Sequence, residues 1–170
     1  MNQEDEQRNY ELAENLISEQ KFAAAVIAGA VATLLAAAAY AITTTMWNFS
    51  YGFAAAGIGI VVGLSMQYLG RGIEIKFAVA ALVYTIAGCV LGNVFRVVLY
   101  LARVDAISPL DVFRSNTFSM LTASSVSYIS FVDLVFWFVA VWFAVFLVKR
   151  PLSRTDRLAI GLYELKARRL

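Results

Sequence analysis

From Phe22 to Gly70 the chain runs for 49 residues without a formal charge. As one helix that stretch would be about 74 Å long, more than twice the roughly 30 Å hydrocarbon core of a bilayer. A single membrane span cannot absorb it, so it must fold back on itself. The natural break is at Trp47, Asn48, Phe49, Ser50, Tyr51 and Gly52, where interfacial aromatic residues surround polar and flexible ones. The run therefore reads as a helical hairpin with spans at 22–46 and 52–69. A third uncharged run of 19 residues, 77–95, extends past Arg96 to give a span at 77–101. A fourth has only 15 uncharged residues, 134–148, and must borrow upstream through Asp133 to span 129–148. Overall the chain is 61% hydrophobic and 15% charged, against about 25% charged for soluble domains. The expected fold is all-α: an integral membrane four-helix bundle with short interfacial helices.

Four spans put both termini and the loop 70–76 on one side. That side carries Arg8, Lys21, Arg71, Lys76, Lys149, Arg150, Arg154, Arg157, Lys166, Arg168 and Arg169, eleven basic residues against Arg96, Arg103 and Arg114 on the other. The positive-inside rule then makes both termini cytoplasmic, and an imbalance this large argues against dual topology. The first span follows an acidic stretch instead of a basic leader, so it reads as an uncleaved helix.

Three segments lie outside the four-span unit 22–148 or between its spans. Residues 1–21 hold Glu4, Asp5, Glu6, Glu11, Glu14 and Glu19 against Arg8 and Lys21, with Leu12, Ala13, Leu16 and Ile17 at helical spacing, which predicts an acidic amphipathic helix. Residues 149–170 form its basic counterpart, with seven basic residues against Asp156 and Glu164, a helix start at Ser153 and a stripe of Leu158, Leu162 and Leu165. Arg150, Arg154, Arg157, Lys166, Arg168 and Arg169 suit anionic cytoplasmic lipid, and a helix lying on that surface is the favoured arrangement. Docking of the acidic helix on the basic one is the alternative. In the outer connection 102–128, Ser108, Pro109 and Asp111 have the order of cap, first-turn proline and first-turn acid, which predicts a short interfacial helix. From Ser115 to Ser130 nine of sixteen residues are serine, threonine or asparagine. A solvated loop is favoured there over a re-entrant segment lining water.

Helices in lipid associate by close backbone approach, which calls for small residues four apart. Gly59 and Gly63 in the second span, Gly88 and Gly92 in the third, and Gly29 among 11 alanines of the first supply such faces. More small faces than one hairpin needs suggests subunit contacts, so a homo-oligomer or a place beside another membrane-protein subunit is expected. The fourth span, rich in phenylalanine and tryptophan, reads as lipid-facing. Two charged residues lie at depth, Arg96 about 28 Å above Phe77 and Asp133 about 22 Å above Val148. Their matching heights predict a pair, Arg96 with Asp133, and Asn93 one turn below the arginine as a further partner.

The chain has no histidine, which removes the commonest general base and zinc ligand, and its one cysteine, Cys89, sits mid-span among apolar neighbours. No catalytic residues, metal ligands, cofactor or nucleic-acid partner are expected. The segment 44–93, with TTMWNFSYGFAAAGIGIVVG, YLGRGIEIKFAV and AGCVLGN, resembles a widespread family of small uncharacterised bacterial membrane proteins. Those share an aromatic hairpin turn, a GxGxxVG second helix, a glycine-flanked basic loop and a glycine-rich third helix. The resemblance implies a bacterial inner-membrane source and no particular activity. The function expected is therefore that of an oligomeric scaffold or accessory subunit in the inner membrane, in contact with the bilayer. The alternative is a small ion channel or transporter using Asn93, Arg96 and Asp133.

Overall fold

A computed structural model describes residues 3–47, 51–115, 118–127 and 129–167. The described residues form eight helices and no strand: α1 Gln3–Ser18, α2 Phe22–Trp47, α3 Tyr51–Gly70, α4 Ile75–Val104, α5 Pro109–Ser115, α6 Phe118–Ser127, α7 Phe131–Leu147 and α8 Arg154–Ala167. Three of them, over Phe22–Met46, Phe53–Gly70 and Ile75–Val104, are long and apolar enough to cross a membrane. The fourth apolar helix, α7, has 17 residues, about 25 Å. The expected aromatic turn between the first two spans falls largely on 48–50, outside the described residues.

The fourth apolar helix begins later than the span expected there, at Phe131 in place of 129, and the reason is local. Ser130 has extended backbone and its hydroxyl accepts from Val132 N–H, while the Asp133 carboxylate accepts from Ser130 N–H at 2.9 Å. This reciprocal capping satisfies backbone donors that would otherwise be left bare at the helix start. The third span runs on to Val104 and is closed by Asp105 N–H to the Leu101 carbonyl.

Around the bundle the neighbours run α2, α3, α7, α4 and back to α2, with α3 and α4 also touching across the diagonal. The shared core is built of small side chains. Ala25, Ala32, Ala36, Ala55, Ala81, Ala140 and Ala144 are buried, with Ile58, Val62, Met66 and Phe77 filling the wider gaps. Large side chains point outward instead: Ile27, Leu35, Phe53, Val79, Phe138 and Phe146 are all more than half exposed. Small inside and large apolar outside is the distribution suited to helices packed in hydrocarbon, where burial of leucine gains little.

The connection 102–128 differs from the favoured loop. α5 forms as the Ser108 and Pro109 pattern predicts, with Leu110 N–H donating to Ser108 Oγ. The hydroxyl-rich stretch then folds as a second short helix, α6, because Leu121 has a place to go: it is buried with Val112 against Val94, Val97 and Val98 of α4. The serines do not prevent this, since a hydroxyl can fold back on its own helix, as Ser115 Oγ does on the Asp111 carbonyl.

On the opposite face the two terminal helices pack together, burying Ala13 and Ala159 and bringing the Tyr10 and Tyr163 rings to 5.0 Å. α8 therefore packs on α1 instead of standing alone. The docked arrangement holds, and it leaves Leu158 and Leu165 more than half exposed.

Candidate functional site

The five glycines singled out for packing all face other helices of the same chain. A Cβ on Gly59 would strike the Ala140 carbonyl of α7, and one on Gly63 would lie 3.0 Å from Ala144 Cα. Gly29 lies against Tyr84 and Met66, Gly88 against Ile58 and Thr33, and Gly92 against Tyr40. Their small faces are filled within the chain and no longer argue for subunit contacts. The α3 to α7 seam also makes the fourth helix an integral part of the bundle, with Phe136, Trp137 and Val145 turned toward the core.

The polar residues converge at the end of the bundle where α6 packs on α4. Tyr40 and Asn93 are buried, and the Tyr40 hydroxyl donates to Asn93 Oδ1 at 3.5 Å. Asn93 Nδ2 in turn donates to the Cys89 carbonyl at 3.2 Å, one turn back on its own helix. The Tyr40 phenol lies within electrostatic reach of both Arg96 and Asp133, so the three expected residues do gather around one group, a tyrosine that sequence reasoning did not single out. Arg96 and Asp133 do not meet as a direct ion pair among the described residues. The Asp133 carboxylate is committed to the α7 cap, which places it in the first turn, on the helix's positive end. The Ser130-x-x-Asp133 spacing is a capping signature and was the available signal for this role.

Beside the cluster opens a cavity of about 810 Å³ between the ends of α2 and α4 and the side of α6, lined by Thr44, Thr45, Arg96, Tyr100, Arg103 and Ser124 among others. Arg96, Tyr100 and Arg103 recur at four and three residues and share one face of α4. Arg103 donates to the Thr45 carbonyl at 3.4 Å. The Thr44 hydroxyl donates back to the Tyr40 carbonyl at 2.8 Å, whereas Thr45 Oγ1 is buried with no hydrogen-bond partner among the described residues.

At the other end of the bundle a second polar cluster joins three chain segments. Glu19 accepts from Arg150 at 2.8 Å and from Arg71 at 3.4 Å. The Arg150 hydrogen bond and the two guanidinium charges hold the Glu19 carboxyl below its ordinary value. Backbone bonds reinforce the junction: Lys21 N–H donates to the Gly70 carbonyl and Arg150 N–H to the Gly72 carbonyl. Gln20 Oε1 accepts from Ile73 and Glu74 N–H and so ties the loop before α4 to a distant segment. Arg71 takes a left-handed backbone, φ 48°, and its N–H donates to the Gln67 carbonyl to end α3. Gly72 is required beside it, because a Cβ there would overlap the Phe77 ring.

Of the basic tail residues expected at a membrane surface, Arg150 is thus drawn into this junction. Arg154 and Arg157 are exposed on α8, Lys166 lies in its last turn, and Arg168 and Arg169 fall outside the described residues. Among the described residues no group of histidine, cysteine or acidic side chains is arranged to hold a metal ion. No protein-family model, no curated protein and no solved structure matches this chain.

Proposed function

We propose that this chain is a four-span protein of a bacterial inner membrane, with both termini cytoplasmic, that acts as a scaffold or accessory subunit through binding and not through catalysis. The observation that carries the reading is the radial order of the bundle, small residues within and large apolar residues around all four long helices, α7 included. A length of about 25 Å makes α7 a short span, and its capped start with Asp133 fits the outer boundary of the hydrocarbon. The resemblance over 44–93 and the eleven-to-three division of basic residues support the compartment and the orientation.

The binding face on the cytoplasmic side is α8. Docked on α1, it keeps Leu158, Leu162 and Leu165 outward with Arg154 and Arg157 exposed beside them, a combination that suits anionic lipid at the membrane surface. A second copy or another membrane subunit would meet the exposed aromatic side of α7, where Phe138, Trp142 and Phe146 stand free of the core. The rival reading as a channel or transporter has the Tyr40, Asn93, Arg96 and Asp133 cluster in its favour. Below Asn93 the described core is filled mainly by Ile58, Val62, Met66 and Phe77, with Thr33 and Thr85 also buried, and this mostly apolar filling favours the scaffold reading.

Native mass spectrometry of the protein extracted from its own membrane in mild detergent tests this reading. A defined homo- or hetero-oligomer supports it. A strict monomer that also carries ion flux in liposomes, abolished by Asp133→Asn, would replace it with the channel.

A further inference from the structure

We propose that α1 and α8 move as one body on the bundle of α2, α3, α4 and α7, and that the Glu19 carboxylate, held between Arg71 and Arg150, is the lock that keeps that body in place. Packing gives the first reason. α1 and α8 pack chiefly on each other, with Ala13 and Ala159 buried and the Tyr10 and Tyr163 rings in contact. The core shared by α2, α3, α4 and α7 takes no residue from either of them. Two short connectors, 19–21 and 148–153, join the pair to the bundle.

The connectors are anchored on the bundle side. Lys21 N–H donates to the Gly70 carbonyl, Arg150 N–H to the Gly72 carbonyl, and Gln67 Nε2 to the Lys149 carbonyl. The chain is left to turn at Glu19 on one connector and at Pro151, Leu152 and Ser153 on the other, which together make a pivot of the kind that a few element-terminal residues supply.

Glu19 stands on this pivot. Its N–H donates to the Asn15 carbonyl and so continues α1, while its carboxylate accepts from Arg150 at 2.8 Å and from Arg71 at 3.4 Å on the anchored side. One carboxylate thus bonds the pair of helices to two fixed segments. The three side chains are between 32% and 57% exposed. Ion pairs in water are individually weak and screened by salt, so a lock made of two of them opens without unfolding either body.

Two features bear on the lock itself. Arg71 takes a left-handed backbone, where glycine costs least, yet the position carries the one long side chain between Gly70 and Gly72, and that side chain reaches Glu19. Gln20 Nε2 is buried without a hydrogen-bond partner among the described residues, a cost that the closed junction bears and that access to water would remove. Opening would re-aim Leu158, Leu162 and Leu165 as a set, because all three belong to α8.

The test measures two distances by electron–electron double resonance in the full-length protein in detergent, in a Cys89→Ala background. Spin labels at Tyr68→Cys and Leu165→Cys read the distance from bundle to α8, and labels at Glu11→Cys and Leu165→Cys read the distance within the pair, all at exposed positions. The parent should give a narrow distribution for both. Glu19→Gln and Arg150→Gln should each lose the narrow bundle-to-α8 distance and keep the narrow distance within the pair. The exchange Glu19→Arg with Arg150→Glu returns opposite charges to the contact, with Arg71 still beside the carboxylate, and should restore the narrow distance. A bundle-to-α8 distance that stays narrow in both glutamine variants, or is already broad in the parent, would overturn the lock. Broadening of both distances in Glu19→Gln would overturn the single body, and an exchange that restores nothing would overturn the ion pairs as the cause.

Discussion

Gly59→Ala adds one methyl group to the tightest seam in the bundle, and the structure sets what that must do. The new Cβ would overlap the Ala140 carbonyl oxygen and lie 2.6 Å from its carbon and 2.9 Å from Ala140 Cα. These are backbone atoms and cannot swing aside as a side chain would. Restoring ordinary contact with that oxygen, 3.4 Å or more, requires α3 and α7 to part locally by about 1.5 Å. A gap of that size forfeits roughly half or more of each dispersion contact along the seam, and overpacking of a well-filled site costs about 1–3 kcal/mol. The upper half of that range is expected, since Gly63 and Ala144 share the same seam one turn on. Gly57→Ala is the internal control: a Cβ there meets nothing within 4 Å, so the variant should match the parent or gain a few tenths of a kcal/mol. Unfolding in mixed micelles, followed by helical circular dichroism, reads both. A Gly59→Ala protein as stable as Gly57→Ala would refute close packing of α7 on α3.

Ser130→Ala and Asp133→Ala should each cost about 1 kcal/mol in the same assay, and the double variant less than their sum, because both belong to one capping box; additive losses would mean the two act apart. Glu19 has a folded pKa below its ordinary value of 4.5, so its contribution to the junction with Arg71 and Arg150 is fully present above that value and is lost as pH falls through the lowered one. Protease sensitivity of the 149–153 linker should accordingly stay flat from pH 7 to 5 and rise below, and Glu19→Gln should remove that acid dependence; an unchanged acid limb in the variant would assign it to another group. Paired cysteines at Tyr10 and Tyr163 in a Cys89→Ala background should crosslink within one chain, and crosslinks formed only between chains would contradict the α1 to α8 docking.

Much of the transmembrane order is legible without coordinates, because charge is absent from long runs and only a helix can carry such runs through lipid. The hairpin, the third helix and the short helix after Pro109 follow from that and from cap chemistry. What was not legible depends on three-dimensional neighbours. Nothing in the composition of Gly59 and Gly63 says whether Ala140 or a second subunit fills their face. The pull of Leu121 toward Val97 and Val98 decides that a serine-rich segment becomes α6, and that pull exists only once α4 is long enough to reach it. Tyr40 sits on a helix with no other polar anchor at its height and gains a role only when α4 brings Asn93 beside it. Asp133 is legible twice over: it is buried, as its depth suggested, and the serine three residues before it already spelled the helix cap that engages it.

The central claim is that α7 crosses the membrane and returns the chain to the side on which it began. In a Cys89→Ala background, single cysteines replacing Glu11, Ile107 and Thr155 can be probed with a membrane-impermeant thiol reagent, in spheroplasts and in inside-out vesicles. The cysteine at 107 should label in spheroplasts, and those at 11 and 155 only in inside-out vesicles. Labelling of positions 11 and 155 from opposite sides would leave three crossings and contradict the account.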